Sequence, residues 1–304
     1  MVSKILVTGG NGLVGSEFIG DIYTKPKSVE VDFRNIIDVN KFVKQGNFDS
    51  IIHCAAKVGG VGSNMKHKGE FFYDNIMINT NIIESARING IKNMVVFLST
   101  CIFPYNVEYP LTETKIHLGP PHFSNDAYAY SKRMADIQIK SYKEQYGLNY
   151  KSVIPTNIYG PNDNYNITNG HVIPSLIHKC YLAKEYKTDF EIWGTGKPLR
   201  EFIFSKDVAK LTEWVLNDYK ENEPIILSTS EEISIKDVTN IIIELMNFKG
   251  NVKWDSSKPD GQFRKPSDNS KIKNYLPNFQ FTSLYDGLKE TIEFFEKNYN
   301  IIRK

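Results

Sequence analysis

The chain has 304 residues, 41% hydrophobic and 24% charged, a globular composition that excludes a disordered, collagen-like or coiled-coil protein. Its 37 Lys and Arg against 35 Asp and Glu leave a net charge of +2, without the basic excess of a nucleic-acid-binding protein. At about 150 residues per domain, the length suits two domains or one large domain with a lobe. Cys54, Cys101 and Cys180 lie far apart and form no C-x-x-C pair. They predict neither a disulfide framework nor a metal centre, but reduced thiols in the cytoplasm. The N-terminal stretch lacks the apolar core of a signal peptide, and no window reaches the roughly 18–20 apolar residues of a membrane span.

In chain order, KILVT (4–8) reads as a buried strand, and TGGNGLVGS follows as a turn. LVGSEFIGDIY (13–23) reads as a helix, VEVDF (29–33) as a second strand and DSIIHCAAK (49–57) as a third. NTNIIESARING (79–90) has helical apolar spacing and stops at Asn-Gly, and MVVFLST (94–100) is an apolar strand. A long helix is expected over 127–146, ending before Gly147, then a strand and turn in YKSVIPTNIYG (150–160). Residues 160–200 are rich in Asn, Pro and Gly and read as loops and a small lobe, with FEIWG (190–194) as a strand. SIKDVTNIIIELMNF (234–248) and LYDGLKETIEFFEKNY (284–299) read as helices. Alternating strands and helices predict an α/β fold with a doubly wound parallel sheet of Rossmann type and a smaller C-terminal substrate-binding lobe. The expected division is 1–158 for dinucleotide binding, with a returning segment near 200–228, and 159–304 mainly for the lobe.

Gly9, Gly12 and Gly15 form T-G-x-x-G-x-x-G between the first strand and the expected helix. Glycine permits the tight turn and the approach of a pyrophosphate, and the helix start supplies N–H groups and a positive dipole end. In the next stretch Arg34 could meet the extra phosphate of NADP, while Asp32 or Asp38 could lie near the adenine. The residues leave the choice open.

Tyr128 and Lys132 stand at i and i+4 in Y-A-Y-S-K, on one helix face. A phenol with a pKa near 10 becomes a neutral-pH acid–base group when a nearby ammonium stabilises its anion, and that ammonium can also hold a cofactor ribose. Tyr130 is passed over because Arg133 lies at its helical offset. Ser99, with Thr100 as its rival, ends an apolar strand where a hydroxyl faces the ligand crevice of such sheets and can bond a carbonyl under reduction.

These motifs resemble the extended short-chain dehydrogenase/reductases. HCAAKVGGVGSN (53–64), STCIFP (99–104), YAYSKRMAD (128–136), PTNIYGPNDNYN (155–166), HVIPSLIHK (171–179), WGTGKPLREF (193–202) and KPDGQFRK (258–265) resemble the GDP-L-fucose synthase family more closely, in order along almost the whole chain. The resemblance implies an NADP(H)-dependent enzyme that epimerises and reduces a 4-keto sugar on GDP. It makes Ser99, Tyr128 and Lys132 the reductase triad, and Cys101 and His171 the acid/base pair for C3 and C5. Unperturbed pKa values of about 8.5 and 6.5 suit Cys and His to that task.

By the same resemblance, Gly9, Gly12, Leu13, Val14, Gly15, Arg34, Ala55, Ala56, Lys57, Lys132, Pro155, Asn157, Ile158 and His171 line the cofactor. Asn157, Lys179, Trp193, Arg200 and Asp260 line the GDP-sugar, with Arg264 or Lys265 as further phosphate or ribose contacts. Arginine offers a bidentate fork for phosphate, and Trp193 a face for the guanine. A homodimer through helices 79–90 and 127–146 is implied as well. Phe103 stands where the family commonly has tyrosine, and VGGVGSNMKHKGEF departs from the usual sugar-facing loop. Those departures keep a GDP-heptose C4-reductase in view as an alternative. A 4-epimerase with trapped NAD lacks the GDP-type segments, and a non-catalytic cofactor sensor would be expected to lose Tyr128 or Lys132.

Overall fold

The computed structural model describes residues 3–258 and 260–304. Met1 and Val2 of the opening segment and Pro259 of the KPDGQFRK run lie outside the described residues. Strand β1 (Ile5–Thr8) is followed by β2 (Tyr23–Thr24), helix α1 (Ile36–Gly46), β3 (Ser50–His53), α2 (Val61–Lys66), α3 (Lys68–Ile88) and β4 (Asn93–Phe97). Then come α4 (Asp126–Tyr146), β5 (Asn149–Pro155), β6 (Asn157–Tyr159), α5 (Val172–Tyr186), β7 (Phe190–Trp193), β8 (Leu199–Phe204) and α6 (Ser205–Asn217). The chain closes with β9 (Ile225–Leu227), β10 (Glu232–Ser234), α7 (Ile235–Leu245), β11 (Val252–Asp255), α8 (Ser270–Tyr275) and α9 (Leu284–Asn298).

Six strands form a parallel sheet in the order β2-β1-β3-β4-β5-β9. Both faces are covered, so the strands are near-continuous apolar runs whose side chains alternate between two cores. Leu6, Ile51, Met94 and Val96 pack with Val39, Val43, Ile82, Ile83 and Ile139 under α1, α3 and α4. Ile5, Val7, Ile52, Val95 and Phe97 pack with Val208, Leu211 and Val215 of α6 on the other face. Each fully buried Val, Ile or Leu contributes about 1.5–3 kcal/mol. The sheet order reverses between β1 and β3, which places a crevice at their carboxyl ends.

A third core unites Tyr159, Tyr165, Ile173, Ile177, Phe190, Phe204, Val238, Ile242, Leu288 and Phe295. It lies under a small sheet ordered β10-β8-β6 and a parallel β11–β7 pair. A single residue, Thr156, separates β5 in the large sheet from β6 in the small one.

Three sequence expectations are corrected. LVGSEFIGDIY is not a helix: it holds one 3₁₀ turn, Gly15–Glu17, after which Phe18 is extended and Gly20 has φ +133°. Too few residues precede β2 for a helix to propagate. VEVDF is not the second strand; Tyr23–Thr24 takes that place beside Ile5–Leu6. Its alternation is misleading because Val29 is 89% exposed, only Val31 is fully buried in the core and Phe33 packs at its margin, while Glu30 turns back to bond the Lys27 main chain. Residues 160–200 are not mainly loop, since α5 spans Val172–Tyr186. Pro174 stands in its first turn, where no N–H is needed, and Ile173, Leu176, Ile177 and Cys180 fall on its buried face. The helix expected over 79–90 begins earlier, at Lys68.

Candidate active site

The glycine turn follows β1 at the reversal of strand order. Gly9 packs against the Cys54–Ala55 main chain, and Ala55 donates its N–H to the Thr8 hydroxyl at 3.1 Å. A Cβ on Gly15 would overlap the Gly9 carbonyl oxygen, so this position demands glycine for close approach. A Cβ on Gly12 would meet only the Gly9 carbonyl oxygen, at 3.2 Å, leaving its other side open as a cradle for a pyrophosphate. Leu13 and Val14 turn toward the core beneath. The turn therefore offers main-chain N–H groups, but the expected helix dipole is absent: a three-residue 3₁₀ turn carries little of it. These features fit a dinucleotide.

Arg34 is engaged on the protein. Its guanidinium pairs with Asp32 at 2.8 Å and reaches Asp74 at 3.5 Å. Lys57 pairs with Glu70 and Asp74, both at 2.8 Å. The residue at the end of the true second strand is Lys25, whose stem lies against Gly10 and whose Nζ donates to the Ser16 carbonyl at 3.0 Å. The sequence pattern does not single it out, because the alternation at 29–33 points to a later strand. Asp38 lies in the first turn of α1. Ala56 follows β3, and buried Pro155 pairs with Leu227. Ile158 pairs with Ile203, and the Asn157 amide donates to the Glu201 carbonyl at 2.8 Å.

Ser99 caps a 3₁₀ turn, Thr100–Ile102, directly after β4, and its hydroxyl accepts the Cys101 N–H at 3.3 Å. Tyr128 and Lys132 project from the first turns of α4, with Nζ 5.9 Å from the phenol ring centroid. Lys132 is 1% exposed and donates to the Phe97 carbonyl at 2.7 Å. Burial lowers its pKa to about 8. The expected lowering of the Tyr128 pKa is overturned: burial pushes it up, and the Cys101 charge adds to that, so it stands ready as a proton donor. Burial also raises the Cys101 thiol, against the Ser99 hydroxyl and the charges of Lys265 and Lys132.

Lys265 belongs to this cluster. Its Nζ donates to the Thr100 carbonyl at 2.6 Å, beside Cys101, and burial lowers its pKa to about 8. Arg264, its neighbour, points elsewhere and pairs with Glu232 at 2.5 Å.

His171 caps the start of α5, with its Nδ1 3.5 Å from the Asp163 carboxylate. Burial alone would lower its pKa, but the hydrogen bond and charge of Asp163 raise it on balance. Asp163 escaped the sequence reading, since an acid eight residues before a histidine in an Asn-rich loop carries no periodic signal.

In the small lobe, Lys179 and Trp193 are brought together, Nζ lying 4.2 Å from the ring centroid, and Trp193 is 51% exposed. They line an open cavity of about 470 Å³ with Leu182, Ala183, Thr188, Asp189 and Glu191. Arg200 donates to the Leu199 carbonyl at 2.7 Å, and burial lowers its pKa. Asp260 is not an idle acceptor: it takes the Thr195 N–H at 2.6 Å and hydroxyl at 2.7 Å, which hold its carboxyl below the usual range.

The family model for the NAD dependent epimerase/dehydratase family matches residues 5–228. A GDP-L-fucose synthase from Dictyostelium discoideum is 47% identical over 311 residues, 99% of this chain and 97% of its own. A crystal structure of a GDP-L-fucose synthetase from Naegleria fowleri bound to NADP superposes with a TM-score of 0.94 at 42% identity, covering 99% of this chain and 95% of that one. A GDP-mannoheptose C4 reductase from Campylobacter jejuni with NADP bound has a TM-score of 0.85 at 27% identity, covering 97% and 98%. Fold and site define a nicotinamide-dependent epimerase/reductase of Rossmann type. The chain belongs to the NAD dependent epimerase/dehydratase family and, within it, to the GDP-L-fucose synthases.

Proposed function

We propose that this protein converts GDP-4-keto-6-deoxymannose to GDP-L-fucose, epimerising C3 and C5 and reducing the C4 ketone with NADPH. The reading is carried by one observation: Cys101 stands inside the reductase cluster, its main-chain N–H on the Ser99 hydroxyl and its thiol in the field of Lys265 and Lys132. The C4 ketone acidifies the protons on C3 and C5. Cys101 takes a proton, the two ammonium groups offsetting part of the burial that disfavours its thiolate, and His171 returns one to the opposite face of the enolate. Ser99 bonds the C4 oxygen, and Tyr128, kept protonated by its burial, gives that oxygen a proton. The nicotinamide, when bound, supplies the hydride for C4. Lys132 steadies the phenol and can hold the cofactor ribose. The lobe around the third core binds the GDP moiety, with Lys179 and Trp193 as its cation and aromatic face.

Lys25 at the end of β2, a position where an acid would favour NAD, supports NADP as the cofactor. A homodimer is supported by exposed Phe72, Tyr73 and Ile88 on α3 and by Tyr130, Met134, Ile137 and Tyr146 on α4, which packs against it. The unpaired Cys54, Cys101 and Cys180 suit a reducing compartment, the cytoplasm. Among the described residues, no helix is long and apolar enough to cross a membrane.

The test is an incubation with GDP-4-keto-6-deoxymannose and NADPH in heavy water, read by proton NMR. GDP-L-fucose deuterated at C3 and C5 is expected. A reduced product without deuterium removes the epimerase activity. A second reading, a C4-reductase on a GDP-heptose, rests on Phe103, which is buried and offers no hydroxyl to a sugar. Turnover of a 4-keto heptose substrate alone would favour it.

A further inference from the structure

Asp163 is a buried carboxylate with an incomplete set of partners. It is 3% exposed, on the loop between β6 and α5. Its Oδ1 accepts the Asn164 N–H at 2.7 Å and lies 3.5 Å from His171 Nδ1, while its Oδ2 has no hydrogen-bond partner among the described residues. No lysine or arginine among those residues lies within ion-pair distance of it. A lone ionised carboxylate in such a place is costly unless a cation balances it. The imidazolium of His171 is the group placed to do so.

The loop is built to bring the two together. Asn164 Oδ1 accepts the Asn166 N–H at 3.2 Å, and Asn166 Oδ1 accepts those of Thr168 and Asn169 at 3.0 and 2.9 Å. Gly170 N–H bonds the Asn166 carbonyl at 2.8 Å, closing the turn before His171. Tyr165 is fixed from two sides: its N–H donates to the Arg303 carbonyl at 2.9 Å, and its carbonyl faces His178 Nδ1 at 2.7 Å.

We propose that Asp163 is the positioning residue for His171, holding the Nδ1 proton against the buried carboxylate so that Nε2 is the nitrogen that exchanges protons with the sugar. The inference rests on the reading of His171 as an epimerisation acid/base. A carboxylate behind the ring also stabilises the imidazolium that must exist before a proton can be delivered. The opposing influence is Arg303, whose charge disfavours it. The step is a proton transfer alone: Nε2–H of the imidazolium breaks, C–H forms on the enolate, and the ring is left neutral with its Nδ1 proton in place.

The test begins on the wild-type protein with ¹⁵N-labelled histidine. Above its titration, His171 is expected as the Nδ1–H tautomer; an Nε2–H tautomer overturns the proposal. In Asp163→Asn the His171 midpoint should fall by about one pH unit or more. Deuterium entry at C3 and C5 should slow by about tenfold or more, while NADPH affinity, read by fluorescence titration, stays within about twofold. An unchanged midpoint and exchange rate in a folded Asp163→Asn protein overturns the proposal too. His171→Gln separates the two readings. If deuterium entry with inversion at C3 and C5 survives that change, the acid/base role of His171 fails, whatever Asp163 does. If entry is lost in His171→Gln but Asp163→Asn leaves the tautomer, midpoint and rate untouched, only the positioning role fails.

Discussion

The ammonium of Lys132 binds the main-chain oxygen of Phe97 at 2.7 Å, at the end of the strand that leads into Ser99. Strand end and catalytic helix are thus joined by a buried charge that no carboxylate among the described residues neutralises. Burial holds Lys132 near a pKa of about 8 against an ordinary 10.5, so between these values the unfolded chain binds more protons and stability rises with pH. Lys132→Met should be more stable than wild type at pH 7, by roughly 1–3 kcal/mol, despite the orphaned carbonyl. Its stability should rise less between pH 8 and 10, with the remaining slope coming from Lys151 and Lys265, both also lowered to about 8. Reductase activity should fall by about a hundredfold or more. Urea unfolding at the two pH values and NADPH oxidation check these outcomes, and a destabilised Lys132→Met protein would contradict the first.

Lys265 makes Cys101 more acidic than its burial alone would allow. In Lys265→Met, alkylation of Cys101 by iodoacetamide should need higher pH, with a rate at pH 8 about threefold or more below wild type. Site-resolved mass spectrometry distinguishes it from Cys54, where burial raises the pKa to about 12. An unshifted profile would remove Lys265 from the electrostatics of this thiol.

Gly15→Ala drives a methyl into the Gly9 carbonyl. The turn must open, which should cost about 1–3 kcal/mol of stability and weaken NADPH binding about tenfold or more. Thermal unfolding and fluorescence titration measure the two effects, and a neutral substitution would show that the turn has slack.

Trp193→Ala removes the face under Lys179 and should raise the dissociation constant for GDP about tenfold. Arg264→Ala serves as its control. That guanidinium is spent on an exposed pair with Glu232, so GDP binding should stay within about twofold. Isothermal titration with GDP reads both, and an equal loss in the two variants would argue against a specific role for Trp193.

The elements that the sequence predicts well are those whose pattern answers to packing. The β1 and β4 runs and the α4 helix, which stops at Gly147 with φ +66°, follow directly from apolar periodicity and capping. Arg34 and Asp260 look like ligand contacts because charge in a motif reads the same whether its partner is a ligand or a neighbour. Only the folded chain puts Arg34 on Asp32 and Asp260 on Thr195. Lys25 was hidden by the false strand at 29–33. Asp163 and Lys265 act through distance in space, for which linear spacing holds no record.

Gly194 and Asp260 lie 66 positions apart and share one small volume. Gly194 has φ +87°, and a Cβ there would overlap the Asp260 carboxylate, which itself ties down Thr195. Neither residue can change alone: a side chain at 194 expels the acid, and loss of the acid frees the turn after Trp193. Over evolutionary time the two positions should therefore drift together or not at all. A natural variant that alters the indole's presentation would then need two coincident substitutions.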